Sequence, residues 1–356
     1  MVSLEASASL YRSIGDLRGW AGALSTLAWV LARRCEFERA QRVCEEIVRI
    51  GEEANDLHLA AWGSVCLGHL CSTVGPLTCA SQHLKTVRDL SKRSSEMRMH
   101  ANAGGVLAKS LLRRGLIAEA RAILTEALET LEARAMRDMF YIEPITAFIE
   151  LCLHDASQSS GAQRRSSLAA ARSACTKALR CSRRSAAAWQ PEAMRLHGTL
   201  AWLDSKPARA LKRWRTSIQL ADAMKLPVDR ARALLEMGER TRDEASVREA
   251  RRLFEQTGAR VDLAFSLHVL ARSAADRGAD RSYLQRRYDE AIASLRGVGA
   301  EQAAALAAWE SEALLAERGP GDETRGDTAE RPQSTVGLVE PSTRAPAQAT
   351  DSRARH

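Results

Sequence analysis

The side chains best suited to chemistry sit in one short stretch: Cys66, His69, Cys71, Cys79 and His83. Cys and His three residues apart can share a helical face, and two more ligands from a following helix would complete a tetrahedral zinc site. A second group is cationic. Residues 160–215 hold 13 Lys and Arg against only Glu192 and Asp204, a balance of +11 in a chain whose total is +8, so everything else sums to −3. Within that block Arg172, Arg180, Arg183 and Arg184 stand close together, and Arg209, Lys212 and Arg213 fall at i, i+3 and i+4 on one helical face. Such a patch attracts an acidic peptide, a phosphorylated segment or nucleic acid. Catalytic signatures are missing. The sequence has no G-x-x-x-x-G-K-[ST] phosphate loop, no H-E-x-x-H, no C-x-x-C and no G-x-S-x-G, and Gly297-Val298-Gly299 lacks the third glycine and preceding strand of a dinucleotide fingerprint. No enzymatic activity and no cofactor is expected.

What positions these groups is a repeat. Leu27-Ala28-x-x-Leu31, Leu67-Gly68-x-x-Cys71 and Leu107-Ala108-x-x-Leu111 recur every 40 residues, each followed at a fixed offset by Ala40, Ala80 and Ala120. Cys44, Leu84 and Leu124 come four positions later, and Ile47, Val87 and Ala127 three after that, which traces one face of a helix. The register breaks once and returns, with Gly198 and Gly238, Ala210 and Ala250, and Trp214 and Phe254 again 40 apart. Between the two runs, a first helix is expected from Glu143 to His154. Asp155–Ser167 reads as an extended polar loop, and Ala171, Cys175 and Ala178 mark a second helix. A small residue at the eighth position of the first helix lets the second approach closely, so each unit is a helical hairpin that buries its faces by stacking on its neighbours. In this frame Cys71 stands where Leu31 and Leu111 stand elsewhere. A free thiol there packs as a small hydrophobe, so no metal site is expected.

Punctuation fits the frame. Gly75 and Gly115 fall in the turn inside a unit, and Pro207 opens a second helix. Ser246-Val247-Arg248-Glu249 reads as a capping box, and Ser166 or Ser167 as the N-cap of the helix that follows. Arg164-Arg165-Ser166-Ser167 and Lys92-Arg93-Ser94-Ser95 also resemble kinase sites, a role secondary to capping. Leu10-Tyr11-x-x-Ile14-Gly15 aligns with Leu253-Phe254-x-x-Thr257-Gly258, so residues 4–15 read as a second helix without its first. Such an orphan exposes an apolar face and suggests a preceding domain or partner. A late hairpin, 262–277 and 281–295, precedes an Ala-rich capping helix at 301–317. The stretch 319–356, with four of the nine prolines and few core formers, reads as a disordered tail.

Composition agrees with an all-α chain. Aromatics make up only 4% and no stretch alternates β-branched residues. No run of ~18 uninterrupted apolar residues and no signal peptide stands out, so a cytoplasmic protein with eight reduced cysteines and no membrane partner is expected.

The pattern Leu-small-x-x-Leu, turn Gly, Ala-x-x-x-bulky-x-x-apolar resembles the tetratricopeptide (TPR) repeat, and its 40-residue period is similar to the long-repeat TPR region of bacterial signal-transduction ATPases of the maltose-regulator type. The resemblance spans residues 5–297. It departs from the motif at the first aromatic of the first helix, which is Leu24, Ser64, Gly104, Met194 and Leu234 here, and in lacking most closing prolines. It implies a right-handed α-solenoid over 1–318, with units at 1–20 (a half repeat), 21–60, 61–100, 101–140, 141–187, 188–229, 230–260 and 261–318. Carried over position by position, it places Trp29, Arg33, His69, Lys109, Arg113, Arg195, Thr199, Trp202 and Glu239 on the concave face, where Trp and Arg anchor partners; packing against the next repeat is an equal reading for Trp29 and Trp202. The resemblance implies a non-catalytic interaction or regulatory-sensor scaffold in bacterial signalling or transcription control, with a protein or acidic peptide as partner and a kinase or ATPase domain upstream. The alternatives are a nucleic-acid-associated protein using residues 164–215 and a small-ligand sensor inside the superhelix.

Overall fold

A computed structural model describes residues 2–134 and 139–317; the expected tail at 319–356 lies outside them. The described residues form 16 α-helices and no strand. One set lines the inside: α2 (Leu17–Arg33), α4 (Leu57–Val74), α6 (Met97–Arg114), α8 (Ile142–Gln158), α10 (Gln190–Leu203), α12 (Pro227–Thr241), α14 (Arg260–Asp276) and α16 (Glu301–Glu317). The other set backs it: α1 (Val2–Ser13), α3 (Phe37–Glu53), α5 (Leu77–Arg93), α7 (Ile117–Ala133), α9 (Gly161–Ser185), α11 (Pro207–Met224), α13 (Glu244–Thr257) and α15 (Arg281–Gly297). Each inner helix up to α14 packs on the backing helix that follows it, successive inner helices pack on one another as far as α14, and α16 packs on α15. The result is a right-handed α-solenoid of antiparallel helix pairs.

Small residues set the spacing as the repeat requires. A Cβ added at Gly68 would lie 2.6 Å from Leu84, and one at Gly198 would lie 2.5 Å from Trp214, so each glycine is the seat of a bulky residue from the backing helix. Ala40, Ala80, Ala120, Ala210 and Ala250 are buried in return. The turns between paired helices need left-handed backbone. Gly75 (φ 74) and Gly115 (φ 84) supply it, and Cys35 (φ 66), 40 residues before Gly75, adopts it without a glycine.

Three local expectations are corrected. Asp155–Ser167 is not an extended loop: α8 runs on to Gln158 and α9 begins at Gly161. Serine is the commonest residue of the stretch, but Ala162, Gln163, Arg164 and Arg165 at the start of α9 are good helix formers, and the Arg164 guanidinium donates to the carbonyls of Ala156 (2.6 Å) and Leu203 (2.8 Å), tying the helix start to its neighbours. Ser166 and Ser167 therefore lie inside α9 and cap nothing. Helix α13 starts two residues before the expected box, because the Asp243 carboxylate accepts from the Ala245 and Ser246 amides and from the Ser246 hydroxyl (2.6 Å). A carboxylate at that position outcompetes a hydroxyl, since it also meets the positive end of the helix dipole.

Helix α4 also departs from expectation: its 18 residues, with no Asp, Glu, Lys or Arg, are long and apolar enough to cross a membrane by length and composition alone. Its apolar character has a local cause, since α3, α5, α2, α6 and α14 all pack on it. At the N-terminal end, α1 covers Trp20 and Ala21 through Ala8 but leaves Leu10 (63% exposed) and Ile14 (68%) in solvent.

The spiral closes on itself. α14 reaches back to α4 and α16 to α6, while Arg33 at the end of α2 pairs with Asp229 at the start of α12. Each contact joins helices ten apart, so one superhelical turn takes five hairpins. Leu77, at the head of α5, shares an apolar cluster with α14, α15 and α16, and its amide donates to the Val298 carbonyl (2.9 Å).

Candidate functional site

The inner helices run parallel, and their charges follow from that. Acids occupy the first turn of five of them, Glu143 on α8, Glu192 on α10, Asp229 on α12, Asp262 on α14 and Glu301 on α16, and all but the exposed Glu301 are buried. Cations occupy the last turns of two earlier ones, Arg33 on α2 and Arg113 on α6, with Lys109 about a turn further back on α6. Both placements suit the helix dipole, with anions near N-termini and cations near C-termini. Closure then brings the two sets together inside the superhelix.

Lys109 sits at the centre. Its ammonium donates to Glu143 (2.6 Å) and Glu192 (2.8 Å), and all three side chains are buried or nearly so. Burial alone would raise the Glu192 carboxyl, but Lys109, Arg195 and Arg33 outweigh it and hold it at about 2. Glu143 is held below its ordinary value in the same way, and it also accepts from the Trp189 indole (2.5 Å). Arg33 stacks on the Trp189 ring (4.8 Å to the centroid) while donating to Asp229 (2.9 Å) and to the Ala188 carbonyl (2.6 Å). Trp29 contacts Trp189 and stands edge-on to His69, whose Nε2 is 3.9 Å from Glu143.

Towards the C-terminal half, Arg113 and Arg232 share Asp262, with Arg232 gripping both carboxylate oxygens at 2.9 and 2.7 Å. Arg195 bridges Glu150 (3.1 Å) and Glu236 (2.8 Å), and Thr199 bonds to the Arg195 carbonyl. Two acids are less well compensated. At Asp229 burial outweighs Arg33 and Arg232 and raises the carboxyl, and at Glu239 it outweighs Arg272 and Arg240 and pushes the group up to about 7. Glu239 and Trp202 line a cavity of about 150 Å³ together with Arg240, Arg272, Val247 and Val269. A larger but shallow hollow of about 470 Å³ lies outside, between the α2–α3 and α11–α12 turns.

All nine residues assigned to the concave face by repeat position thus lie on inner helices, and seven of them meet in or beside this network; Trp202 and Glu239 line the cavity at its edge. Repeat position alone did not find their acidic partners. A usable signal was present: an acid at the second or third residue of four successive inner helices, at Glu143, Glu192, Asp229 and Asp262.

The cationic block lies on the outside. Arg172, Arg180, Arg183 and Arg184 are exposed along α9, and Arg209 and Lys212 along α11, with Arg213 half-buried against the Met194 sulfur. Arg172 pairs with Asp204, whereas the field of Arg213 and Arg209 adds to burial in holding the His197 imidazole down to about 4. Of the Cys and His group, Cys66 receives the Trp29 indole (2.9 Å) and His69 turns inward, while Cys71, Cys79 and His83 stay together.

The sequence matches no family model and no curated protein. Among solved structures, the chain is similar to a Rap protein complexed with Competence and Sporulation Factor, at 14% identity and a TM-score of 0.56, over 83% of this chain and 85% of that one. It also aligns with a circular tandem repeat protein of novel repeat topology at 14% identity, over 88% of this chain and 92% of that one, with a TM-score of only 0.25. What this chain shares with the Rap protein is the fold, that of a helical-repeat solenoid.

Proposed function

We propose that the protein is a non-catalytic regulatory module that recognises a peptide or protein segment through the inside of its superhelix. The observation that carries this reading is the filling of the interior. Where apolar side chains would pack at no desolvation cost, the chain places paired Arg, Lys, Asp and Glu, an arrangement that seldom adds stability over apolar packing. Groups of this kind can exchange their internal partners for the charges of a bound segment, and Trp202, Arg240 and Arg272 stand at the cavity where such a segment would enter. The fold likeness to a Rap protein complexed with Competence and Sporulation Factor supports the same reading.

Its biological setting is cytoplasmic bacterial signalling or transcription control. The 40-residue period is similar to that of the long-repeat TPR region of maltose-regulator-type ATPases, and it suggests a kinase or ATPase domain as a neighbour. Exposed Arg180, Arg183, Arg184, Arg209 and Lys212 do not line the interior, but their field draws an acidic partner towards the chain before it docks inside. The test is selection from a short-peptide display library on the immobilised chain, with Arg195→Ala and Trp202→Ala variants beside it. Enrichment of acidic or mixed-charge peptides that both variants lose is expected. Recovery of the same peptides by the variants, or tight duplex DNA binding abolished by Arg209→Glu, would overturn the reading, the second in favour of nucleic-acid association through the outer face.

A further inference from the structure

The α4–α5 hairpin carries three side chains that neither the interior nor the cationic face uses. Cys71 lies near the end of α4, and Cys79 and His83 lie four residues apart on α5, the spacing that puts two side chains on one helical face. The Cys71 and Cys79 Sγ atoms are 3.6 Å apart, and one donor atom from each of the three residues lies within 4.8 Å of the others. All three side chains are half-buried, so the cluster is walled by protein yet open to solvent.

We propose that Cys71, Cys79 and His83 form a binding site for a soft, tetrahedral metal ion, zinc first, with the fourth position left to water or to a ligand from a partner. The geometry is close to what the ion needs. Around tetrahedral zinc with Zn–S bonds of ~2.3 Å, two thiolate sulfurs stand about 3.8 Å apart, and a sulfur and an imidazole nitrogen about 3.6 Å. The thiols are already near the first distance and well beyond the ~2.05 Å of a disulfide, and both cysteines are free. With the donor atoms all within 4.8 Å of one another, a shift of the His83 ring nitrogen by no more than about 1.2 Å towards the sulfurs completes the set. Two thiolates neutralise a divalent ion, so the site needs no carboxylate.

The other thiols do not compete. Cys44 and Cys66 are buried in the core with Trp29, and His69 faces Glu143 inside the superhelix. The place of the cluster adds a consequence. Between Cys71 and Cys79 lies the turn at which α5 meets the C-terminal helices: Leu77 donates to Val298, and the ideal Cβ position at Gly75 lies 3.5 Å from both Val261 and Val298. A metal bridging α4 and α5 therefore braces the turn on which the superhelix closes.

The experiment uses the full chain, kept reduced with a non-thiol reductant, stripped with a chelator and titrated with zinc against a chromophoric competitor. One equivalent is expected to bind and to raise the unfolding temperature, and cobalt is expected to give the thiolate charge-transfer and d–d bands of a tetrahedral site. Cys79→Ser should abolish these bands, and His83→Ala should weaken zinc by at least about tenfold, the lower range for disturbing even an outer-shell partner. Cys152→Ser, which removes a core thiol outside the cluster, serves as the control and should leave the zinc affinity and the cobalt bands unchanged. Circular dichroism confirms that each variant is folded. Failure to retain zinc against the competitor, an octahedral cobalt spectrum, or unchanged affinity in folded Cys79→Ser and His83→Ala would overturn the proposal.

Discussion

Replacing Glu239 with Gln is expected to stabilise the folded chain at alkaline pH and to leave it nearly unchanged at acid pH. In the folded chain burial pushes this carboxyl from 4.5 up to about 7. The folded state therefore holds its proton more tightly than the unfolded state, and the stability this confers is fully present below pH 4.5 and lost as pH rises through about 7. At about 1.4 kcal/mol per pH unit, the gap amounts to about 3 kcal/mol. Glutamine keeps the shape and one accepting oxygen for Arg272, 3.4 Å away, but never ionises. Urea unfolding followed by circular dichroism, for wild type and variant from about pH 4.5 to about pH 8, gives the difference, since the titrations of groups remote from Glu239 cancel. That difference should grow with pH in favour of Glu239→Gln towards about 3 kcal/mol. A flat difference, or one that grows in favour of the wild type, would refute the claim that the interior desolvates this carboxylate.

Lys109→Met leaves Glu143 and Glu192 buried against each other without their cation, and a loss of about 3–5 kcal/mol in thermal or urea unfolding is expected; adding Glu143→Gln and Glu192→Gln should restore most of it. In the wild type, the support from Glu192 is present above 4.5, its ordinary value, and should fade as pH falls towards about 2, visible as acid destabilisation that the Lys109→Met variant lacks. Gly105→Ala drives a methyl into the Glu143–Pro144 backbone and should cost about 1–3 kcal/mol, whereas Gly297→Ala, which meets nothing within 4 Å, should be neutral or stabilising by up to about 1 kcal/mol in the same assay. Arg113→Ala with Asp262→Ala removes an ion pair joining α6 to α14, and solution scattering should report a larger radius of gyration than that of the wild type.

The repeat was legible because its cause is local. Gly68 and Gly198 are small where Leu84 and Trp214 must fit, and that need recurs every hairpin. The polarity of Asp155–Ser167 is common to loops and to exposed helix ends, and the Arg164 contacts that hold it as helix run to carbonyls on other helices, which local sequence does not show. Repeat position also placed Arg33, Lys109, Arg113 and Arg195 on the inner face. It could not say that their partners would be the chain's own acids, because pairing Arg33 with Asp229 depends on how many hairpins complete a turn. That number follows from small rotations summed over five units, which no single motif carries.

A spiral that meets itself does not fold like an open one. Arg33 and Asp229 are 196 residues apart, Arg113 and Asp262 149, and closing a flexible chain over such spans costs about 5 kcal/mol of entropy before any contact forms. Open arrays fray from their ends one unit at a time. Here the last helices also touch the first, so a hairpin at either end peels away only when the closing contacts break with it.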